Sequence, residues 1–220
     1  MTHPTWPLFD LRVTTPRLEL RYIDDDLATE LALLALKGIH DPDTMPFGVP
    51  WSDAPSPTLE YETMQFYWRC RATTSPTAWT INLATIVDGV VVGTSGLMTH
   101  DFPTLRAFET GSWLGREFQG KGIGKEMRIA SLQLGFLGFA AEYATTGAWH
   151  DNGPSLGVTR SLGYAENGHK RMLRRAAADE LTLFEMTRAD FAERLQREDI
   201  TLHGVDDCLG LLGLNGPTDQ

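Results

Sequence analysis

Three glycines spaced two residues apart, at positions 120, 122 and 124, mark the segment of this sequence with the clearest chemical potential. A glycine-rich turn that runs into a helix leaves backbone N–H groups exposed and lets a ligand approach the main chain closely. The N-terminus of the following helix adds about half a positive charge. These features favour a site for a phosphate or diphosphate group, to which Lys121, Lys125 and Arg128 can add charge-assisted contacts.

Two common phosphate-binding motifs do not fit this segment. The spacing from Gly115 to Gly120-Lys121 approaches the loop of nucleoside triphosphatases, but that loop continues with Ser or Thr to hold magnesium, and here the next residue is Gly122. The dinucleotide fingerprint requires G-x-G-x-x-G, whereas the sequence from Gly120 has G-x-G-x-G. The turn therefore predicts a diphosphate ligand of another kind.

Composition narrows the class of partner. The net charge of -10 over 220 residues disfavours nucleic acid, because phosphate-backbone binding needs a basic surface, and it suits either a cationic acceptor or simple solubility. No apolar run approaches the roughly 20 residues that span a bilayer, and the start lacks a signal-peptide pattern, so we expect a cytoplasmic protein without membrane contact. Cys70 and Cys208 form no Cys-x-x-Cys pair, and the His-Asp pairs at 40–41, 100–101 and 150–151 fall in predicted loops or strand ends, so we expect no metal.

The elements that must position the glycine turn form an α/β pattern. Alternating and 3.6-residue apolar periods predict, in order, a strand at 18–22, helices at about 24–38 and 58–72, strands at 78–87, 90–99 and 107–115, a helix from the turn to about 140, a strand at 143–149, a helix at 154–163, strands at 164–174 and 181–187 around an Ala-rich turn, and a helix at 190–196. Asp88-Gly89 between β-branched runs predicts a tight hairpin. This order predicts helices packed on a mainly antiparallel sheet.

Two segments lie outside this pattern. Residues 41–57 contain prolines at 42, 46, 50, 55 and 57 and read as a loop, whose apolar side chains include Phe47 and Trp51. Such a loop covers either the core edge or a ligand. We expect one domain over 1–198 and an acidic, leucine-bearing extension over 199–220, which can dock on the body or on a partner, including a second copy in a homodimer or larger oligomer.

Several motifs together point to a known family. Gln119-Gly-Lys-Gly-Ile-Gly124 resembles the Q/R-x-x-G-x-G/A signature of the GNAT acyltransferases. The surrounding sequence resembles their RimJ/RimL-like branch, which is named after ribosomal-protein N-acetyltransferases and whose members acylate quite different amines. Four motifs carry this likeness, in order: TPRL at 15–18, E-x-G-x-W-L at 109–114, N-x-x-S at 152–155 and L-G-Y at 162–164. The likeness covers about residues 10–195. The segments at 6–10 and 40–43 resemble actinobacterial members.

The resemblance implies a fold and a co-substrate. The fold is the GNAT fold, a mixed, mostly antiparallel sheet of six to seven strands flanked by helices and splayed between strands 4 and 5, here those at 107–115 and 143–149. The co-substrate is acetyl-CoA or another acyl-CoA, without a metal, and the partner is an amine acceptor. By resemblance the diphosphate lies on the glycine turn and the pantetheine arm along the strand before it. The implied binding residues are Trp113, Leu114, Gln119, Gly120, Lys121, Gly122, Ile123, Gly124, Lys125, Asn152 and Ser155.

The resemblance also implies catalytic roles. Glu109 becomes the general base, directly or through water, and Ser155 the general acid, with Tyr164 as its substitute. From residue types alone, Glu109 also fits a surface carboxylate and Ser155 a helix cap. Phe47 and Trp51 are candidates for acceptor binding. Acetyl is the default acyl group and succinyl an alternative. A non-catalytic acyl-CoA-binding module on the same fold is the competing hypothesis.

Overall fold

The computed structural model describes residues 3–214, which form a nine-stranded sheet with helices on both faces. The strands are β1 (Arg12–Thr14), β2 (Glu19–Tyr22), β3 (Ala78–Val87), β4 (Val90–His100), β5 (Ala107–Leu114), β6 (Tyr143–Trp149), β7 (Ala165–Arg174), β8 (Ala177–Thr187) and β9 (Thr201–His203). The helices are α1 (Asp25–Leu36), α2 (Thr58–Ala72), α3 (Phe102–Leu105), α4 (Ile123–Gln133), α5 (Gly153–Ser161), α6 (Arg188–Arg194) and α7 (Val205–Leu209). None of the helices between residues 3 and 214 has both the length and the apolar composition of a membrane span.

Local sequence signals set the starts and turns of these elements. Helix α1 begins where the Asp24 carboxylate accepts a hydrogen bond from the Leu27 amide at 2.8 Å, a typical N-cap. The turn between β3 and β4 has φ values of 50° at Asp88 and 79° at Gly89. Both lie in the left-handed region that a two-residue hairpin turn requires. The predicted hairpin is therefore confirmed.

The sheet is antiparallel except at one place. Its strands follow the order β7-β8-β6-β5-β4-β3-β2-β1-β9, and only the central pair β5 and β6 runs parallel. That pair is in register over just three residues, 107–109 against 143–145. Beyond these residues β5 and β6 no longer pair with each other, although β5 stays paired with β4 to Leu114 and β6 with β8 to Trp149. The mixed sheet and the splay at this position agree with the predicted fold.

The two faces of β5 support different layers. Its even-numbered side chains face α4 and the turn after it, where the Phe108 and Phe136 rings lie 5.5 Å apart. A Cβ on Gly135 would come within 2.2 Å of the Phe108 ring, so the close approach requires glycine there. The odd-numbered side chains face the α1–α2 layer, where Trp113 packs against the buried Ala35 and Leu59.

The outer edge of the sheet differs from the prediction. Strands β1 and β9 pair with each other and raise the strand count above the expected six to seven. The tail therefore packs on the body: Cys208 and Leu212 are fully buried in the main core. The Gln133 amide donates to the carbonyls of Arg197 at 2.9 Å and Ile200 at 3.2 Å. Residues 215–220 of the expected extension lie outside the described residues.

Two predicted element boundaries also shift. The helix expected to run to about residue 140 is α-helical only to Gln133 and continues as a π-helical turn over Leu134–Gly138. The Ala-rich segment expected to form a long turn instead starts β8 at Ala177, because it continues the antiparallel ladder with β7. The result is a hairpin that projects toward the loop at 41–57.

Candidate active site

The glycine turn sits at the end of β5 and directly before α4. Gly120 has φ 72° and Gly122 φ 80°, a left-handed conformation that side chains other than glycine adopt only with strain. Helix α4 has no side-chain cap at Gly122. In the described chain the amides of residues 121–125 have no protein acceptor, so they and the helix dipole form a candidate site for an anion.

Two polar anchors hold the turn in place. The Gln119 side-chain amide donates to the carbonyls of Ile39 at 2.7 Å and Leu114 at 2.9 Å. One turn into α4, the buried carboxylate of Glu126 accepts from the Thr15 hydroxyl at 2.5 Å and from Arg17 Nε at 2.6 Å. Sequence reasoning treated residues 15–18 only as a family motif and missed this anchoring role, since no local signal links positions so far apart.

The three basic side chains expected at the turn separate in the structure. Lys121 is exposed with its Nζ 5.6 Å from the Phe118 ring, and Lys125 is exposed with its Nζ 3.4 Å from the Ser161 carbonyl. Both remain available near the anion site. Arg128 is not available there, because it is only 5% exposed and its guanidinium contacts side chains of β5 and β6. The expectation that it contacts the diphosphate is wrong, because its position on α4 faces β5 rather than the turn.

A cluster of hydroxyl groups marks the point where β5 and β6 separate. The Thr146 hydroxyl donates to the Thr110 carbonyl at 2.9 Å. The Tyr164 hydroxyl lies 3.5 Å from the Thr110 hydroxyl. Arg128 donates to the hydroxyls of Thr110 at 3.1 Å, Thr146 at 3.3 Å and Ser112 at 3.1 Å. The apex of the splay is therefore a buried polar site on the α4 face.

The free edge of β5 can pair with an extended ligand. The Gly115 amide donates to the Val92 carbonyl of β4 at 2.9 Å. By the alternation of a ladder, the Trp113 amide also points to β4, whereas the amides of Leu114 and Ser112 point into the splay. Of the two amides expected to bind pantetheine, only that of Leu114 has the required direction.

The start of α5 carries two of the predicted site residues, Asn152 and Ser155. The Asn152 side chain caps the helix by accepting from the Ser155 amide at 3.2 Å. Asn152, not Ser155, is therefore the cap. The Ser155 hydroxyl is half-buried and has no hydrogen-bond partner among the described residues. It is thus free for another role.

The odd-numbered face of β5 carries Glu109, the candidate base, and contacts the loop that holds the candidate acceptor-binding residues Phe47 and Trp51. Glu109 is exposed and lies on the same face as Trp113, since side chains alternate along a strand. Ring centroids are 5.8 Å apart between Trp113 and Trp51, and 5.3 Å apart between Trp51 and Phe47. The loop at 41–57 therefore covers this face, and both Phe47 and Trp51 lie beside it.

Two arginines of the β7–β8 hairpin fix this loop. Arg174 donates to the Met45 carbonyl at 2.8 Å and pairs with Asp151 and Asp179, each at 2.9 Å. Arg175 pairs with Asp53 at 2.8 Å. Hydrogen bonds from these guanidinium groups lower the pKa of Asp53 and of Asp179. These two arginines therefore hold the loop at 41–57 against the β7–β8 hairpin.

The two thiols are not candidates for the catalytic role. Burial raises the pKa of Cys208 to about 12 and also raises the pKa of Cys70, so neither is an activated nucleophile. Across residues 3–214, no three His, Cys, Asp or Glu side chains converge as a metal site.

Comparison with known families decides the assignment. The model of the Acetyltransferase (GNAT) domain matches residues 17–165, about two thirds of the chain. The chain belongs to the GNAT acetyltransferase family. This GNAT enzyme is thus an N-acyltransferase by class, and the residues matched include Gln119, the Arg17–Glu126 pair, the splayed strands and α5.

Solved structures share the GNAT fold at low sequence identity. Mycobacterium smegmatis RimJ in complex with a CoA-disulfide is 19% identical, with a TM-score of 0.68 over 91% of this chain and 92% of that one. The ribosomal-protein-S5-alanine acetyltransferase of Vibrio fischeri is 17% identical, with a TM-score of 0.65 over 82% and 98%. The microcin C7 self-immunity acetyltransferase MccE, in complex with acetyl-CoA and AMP, is 15% identical, with a TM-score of 0.62 over 78% and 93%.

Proposed function

We propose that this GNAT enzyme transfers an acyl group from acyl-CoA to a primary amine, with the CoA diphosphate on the amides of residues 121–125. One observation carries the proposal: these unpaired amides lie at the end of the strand whose open edge borders the splay. A Cβ on Gly124 would be 3.6 Å from the Leu114 side chain, so the anion site adjoins β5 directly.

The length of β5 suits the pantetheine arm. From Leu114 to Thr110 the strand rises about 3.3 Å per residue, or roughly 13 Å in total. Pantetheine contains two amide groups and is about as long as four extended residues. An arm that starts at the turn and pairs with the Leu114 and Ser112 amides therefore brings its thioester to the apex near Thr110 and Thr146.

The proposed mechanism uses both faces of the sheet. The amine approaches beside Phe47 and Trp51, and Glu109 on that face takes a proton from the ammonium, directly or through water. The free amine then attacks the thioester carbonyl at the apex, where a β5 amide stabilises the developing negative charge. The C–S bond breaks, and Ser155, or Tyr164 in its place, protonates the leaving thiolate. The proton that the new amide nitrogen releases restores the hydroxyl.

The acyl donor and acceptor define the remaining specificity. Acetyl-CoA is the default donor and succinyl-CoA the alternative. The net charge of -10 favours a cationic acceptor such as a protein N-terminus, a lysine, a polyamine or an amino sugar, because a negative field raises its local concentration.

A two-part experiment tests the function. Calorimetry measures the affinity for CoA, acetyl-CoA and succinyl-CoA, and a thiol-release assay with the same donors screens a panel of primary amines. Binding together with amine-dependent thiol release supports the enzyme. Tight binding without release for any amine supports the non-catalytic module, and absence of binding to all three compounds contradicts the proposed site.

A further inference from the structure

Arg128 places a buried positive charge at the apex of the splay. The residue is 5% exposed, and its Nη atoms donate to the neutral hydroxyls of Thr110, Thr146 and Ser112. Its Nε is buried without any hydrogen-bond partner in the described chain. The guanidinium thus lacks a counter-charge, and its Nε lacks a hydrogen-bond acceptor.

Arg174, another largely buried arginine, differs from Arg128 in having carboxylate partners. The Arg174 side chain is 11% exposed and is flanked by the carboxylates of Asp151 and Asp179. Between residues 3 and 214 no carboxylate oxygen lies within 4.0 Å of Arg128; the nearest acid along α4, Glu126, is bound by Arg17. A buried charge without a partner is costly, so a bound anion would relieve the cost.

The CoA diphosphate is in the wrong place to supply that anion. Its proposed site adjoins Leu114, whereas Arg128 binds the hydroxyls of Ser112 and Thr110, two and four residues back along β5. The strand rise places these two residues roughly 7 and 13 Å from Leu114, which is beyond the reach of an ion pair. An anion at Arg128 must therefore belong to the acyl end of the donor.

We infer that the preferred donor is the CoA thioester of a short dicarboxylic acid, such as succinyl-CoA, whose free carboxylate pairs with Arg128. The inference rests on the proposed function and specifies its donor. In the transfer the amine nitrogen bonds to the acyl carbonyl carbon and gives up a proton, the C–S bond breaks, and the leaving thiolate takes up a proton. The distal carboxylate remains unchanged and only fixes the acyl chain, through a planar guanidinium suited to two parallel hydrogen bonds.

Donor comparison on the unaltered protein tests the inference first. Calorimetry with succinyl-CoA and butyryl-CoA compares two four-carbon acyl groups that differ in the terminal carboxylate. We expect succinyl-CoA to bind at least about tenfold more tightly, because only its carboxylate compensates the buried charge. Equal affinities would overturn the inference and leave the proposed function standing, whereas absence of binding to either ester would overturn both.

Substitution of Arg128 then tests whether this residue causes the preference for succinyl-CoA. Arg128→Met should remove the preference, so that the ratio of succinyl-CoA to butyryl-CoA affinity and of their kcat/KM values approaches one, while Arg128→Lys keeps part of it. Arg69→Met, which alters an exposed arginine of α2, should keep the full ratio. An equal loss for both donors in Arg128→Met would place Arg128 at the common thioester instead and reject the carboxylate pairing. If Arg128→Met does not fold, the Lys variant and the donor comparison still decide the question.

Discussion

Arg17 Nε and Nη2 both lie 2.6 Å from the same carboxylate oxygen of Glu126. This pair joins the segment before β2 to the first turn of α4 and so fixes the direction of the amides proposed to bind the CoA diphosphate. A Cβ on Gly122 would lie 3.5 Å from Arg17 Nη2, which shows how closely the guanidinium approaches the glycine turn.

Loss of this pair should weaken both folding and ligand binding. Arg17→Met leaves the buried Glu126 carboxylate with only the Thr15 hydroxyl, and we expect it to lower the free energy of unfolding by about 1–3 kcal/mol. CoA affinity should fall about tenfold as the helix start moves. Urea unfolding and calorimetry provide the measurements. Arg12→Met, which breaks the more exposed pair with Glu19, should change stability by less than about 1 kcal/mol; equal effects of the two variants would contradict the anchoring role.

The glycine turn should not tolerate a side chain at Gly122. Its φ of 80° makes Gly122→Ala strained by roughly 1–2 kcal/mol, and the turn can relax only by redirecting its amides. We expect the Kd for CoA to rise at least about tenfold. Gly157→Ala is a matched control, because that glycine lies in α5 with no atom within 4 Å of the added Cβ. A normal CoA affinity of Gly122→Ala would argue against diphosphate binding at the turn.

Removal of the charge on Glu109 should affect turnover and not donor binding. Glu109→Gln keeps the shape of an exposed β5 side chain and cannot accept the ammonium proton. We expect kcat to drop about 100-fold with an unchanged Kd for acyl-CoA, measured with the best amine from the screen. Glu62→Gln on the exposed surface of α2 is the control. Unchanged turnover in Glu109→Gln would remove this residue from the base role.

The two candidate acids can be separated by substitution. The Ser155 hydroxyl has no described partner, whereas Tyr164 is buried and lies next to Thr110. We therefore expect Ser155→Ala to lower kcat at least about tenfold at constant donor affinity, and Tyr164→Phe to lower it by a smaller factor. Single-turnover rates and calorimetry measure the two effects. The reverse order would assign protonation of the thiolate to Tyr164.

The loop at 41–57, which covers the face of β5 that carries Glu109, should be less well held at low pH. The pKa values of Asp53 and Asp179 are depressed in the folded chain from their ordinary 3.8. Their pairs with Arg175 and Arg174 therefore stabilise the loop fully above that pH and lose this contribution as the pH falls below it. We expect hydrogen-exchange protection of residues 41–57 to decrease below about pH 3.8 and, at pH 7, in Asp53→Asn.

A surface substitution distinguishes this loop effect from general destabilisation. Asp26→Asn alters an exposed carboxylate of α1 that has no ion pair among residues 3–214 and should leave loop protection at pH 7 intact. If residues 41–57 are as well protected from hydrogen exchange in Asp53→Asn as in the unaltered chain, the pair of Arg175 with Asp53 does not hold the loop.

The features that the sequence by itself determined are those set by local conformational preference. The glycines at 120, 122 and 124 predicted a turn that runs into a helix, and Asp88-Gly89 predicted a hairpin; helix α4 begins at Ile123 and the φ values of Asp88 and Gly89 are those of a tight hairpin turn. Period-2 and period-3.6 patterns located most strands and helices. Each of these depends on residues a few positions apart, whose sterics and hydrogen bonds act before the chain is folded.

Only the tertiary structure decided which side chains meet across the chain. Lys121, Lys125 and Arg128 look alike in sequence, yet only Arg128 is buried, because its position on α4 faces the sheet. The partner of Glu126 is 109 residues away, and Trp51 reaches Trp113 only because α1 and the loop pack on β5. The short β1 and β9 strands likewise pair from opposite ends of the chain. Such contacts depend on the packing of layers, which no local pattern of residues encodes.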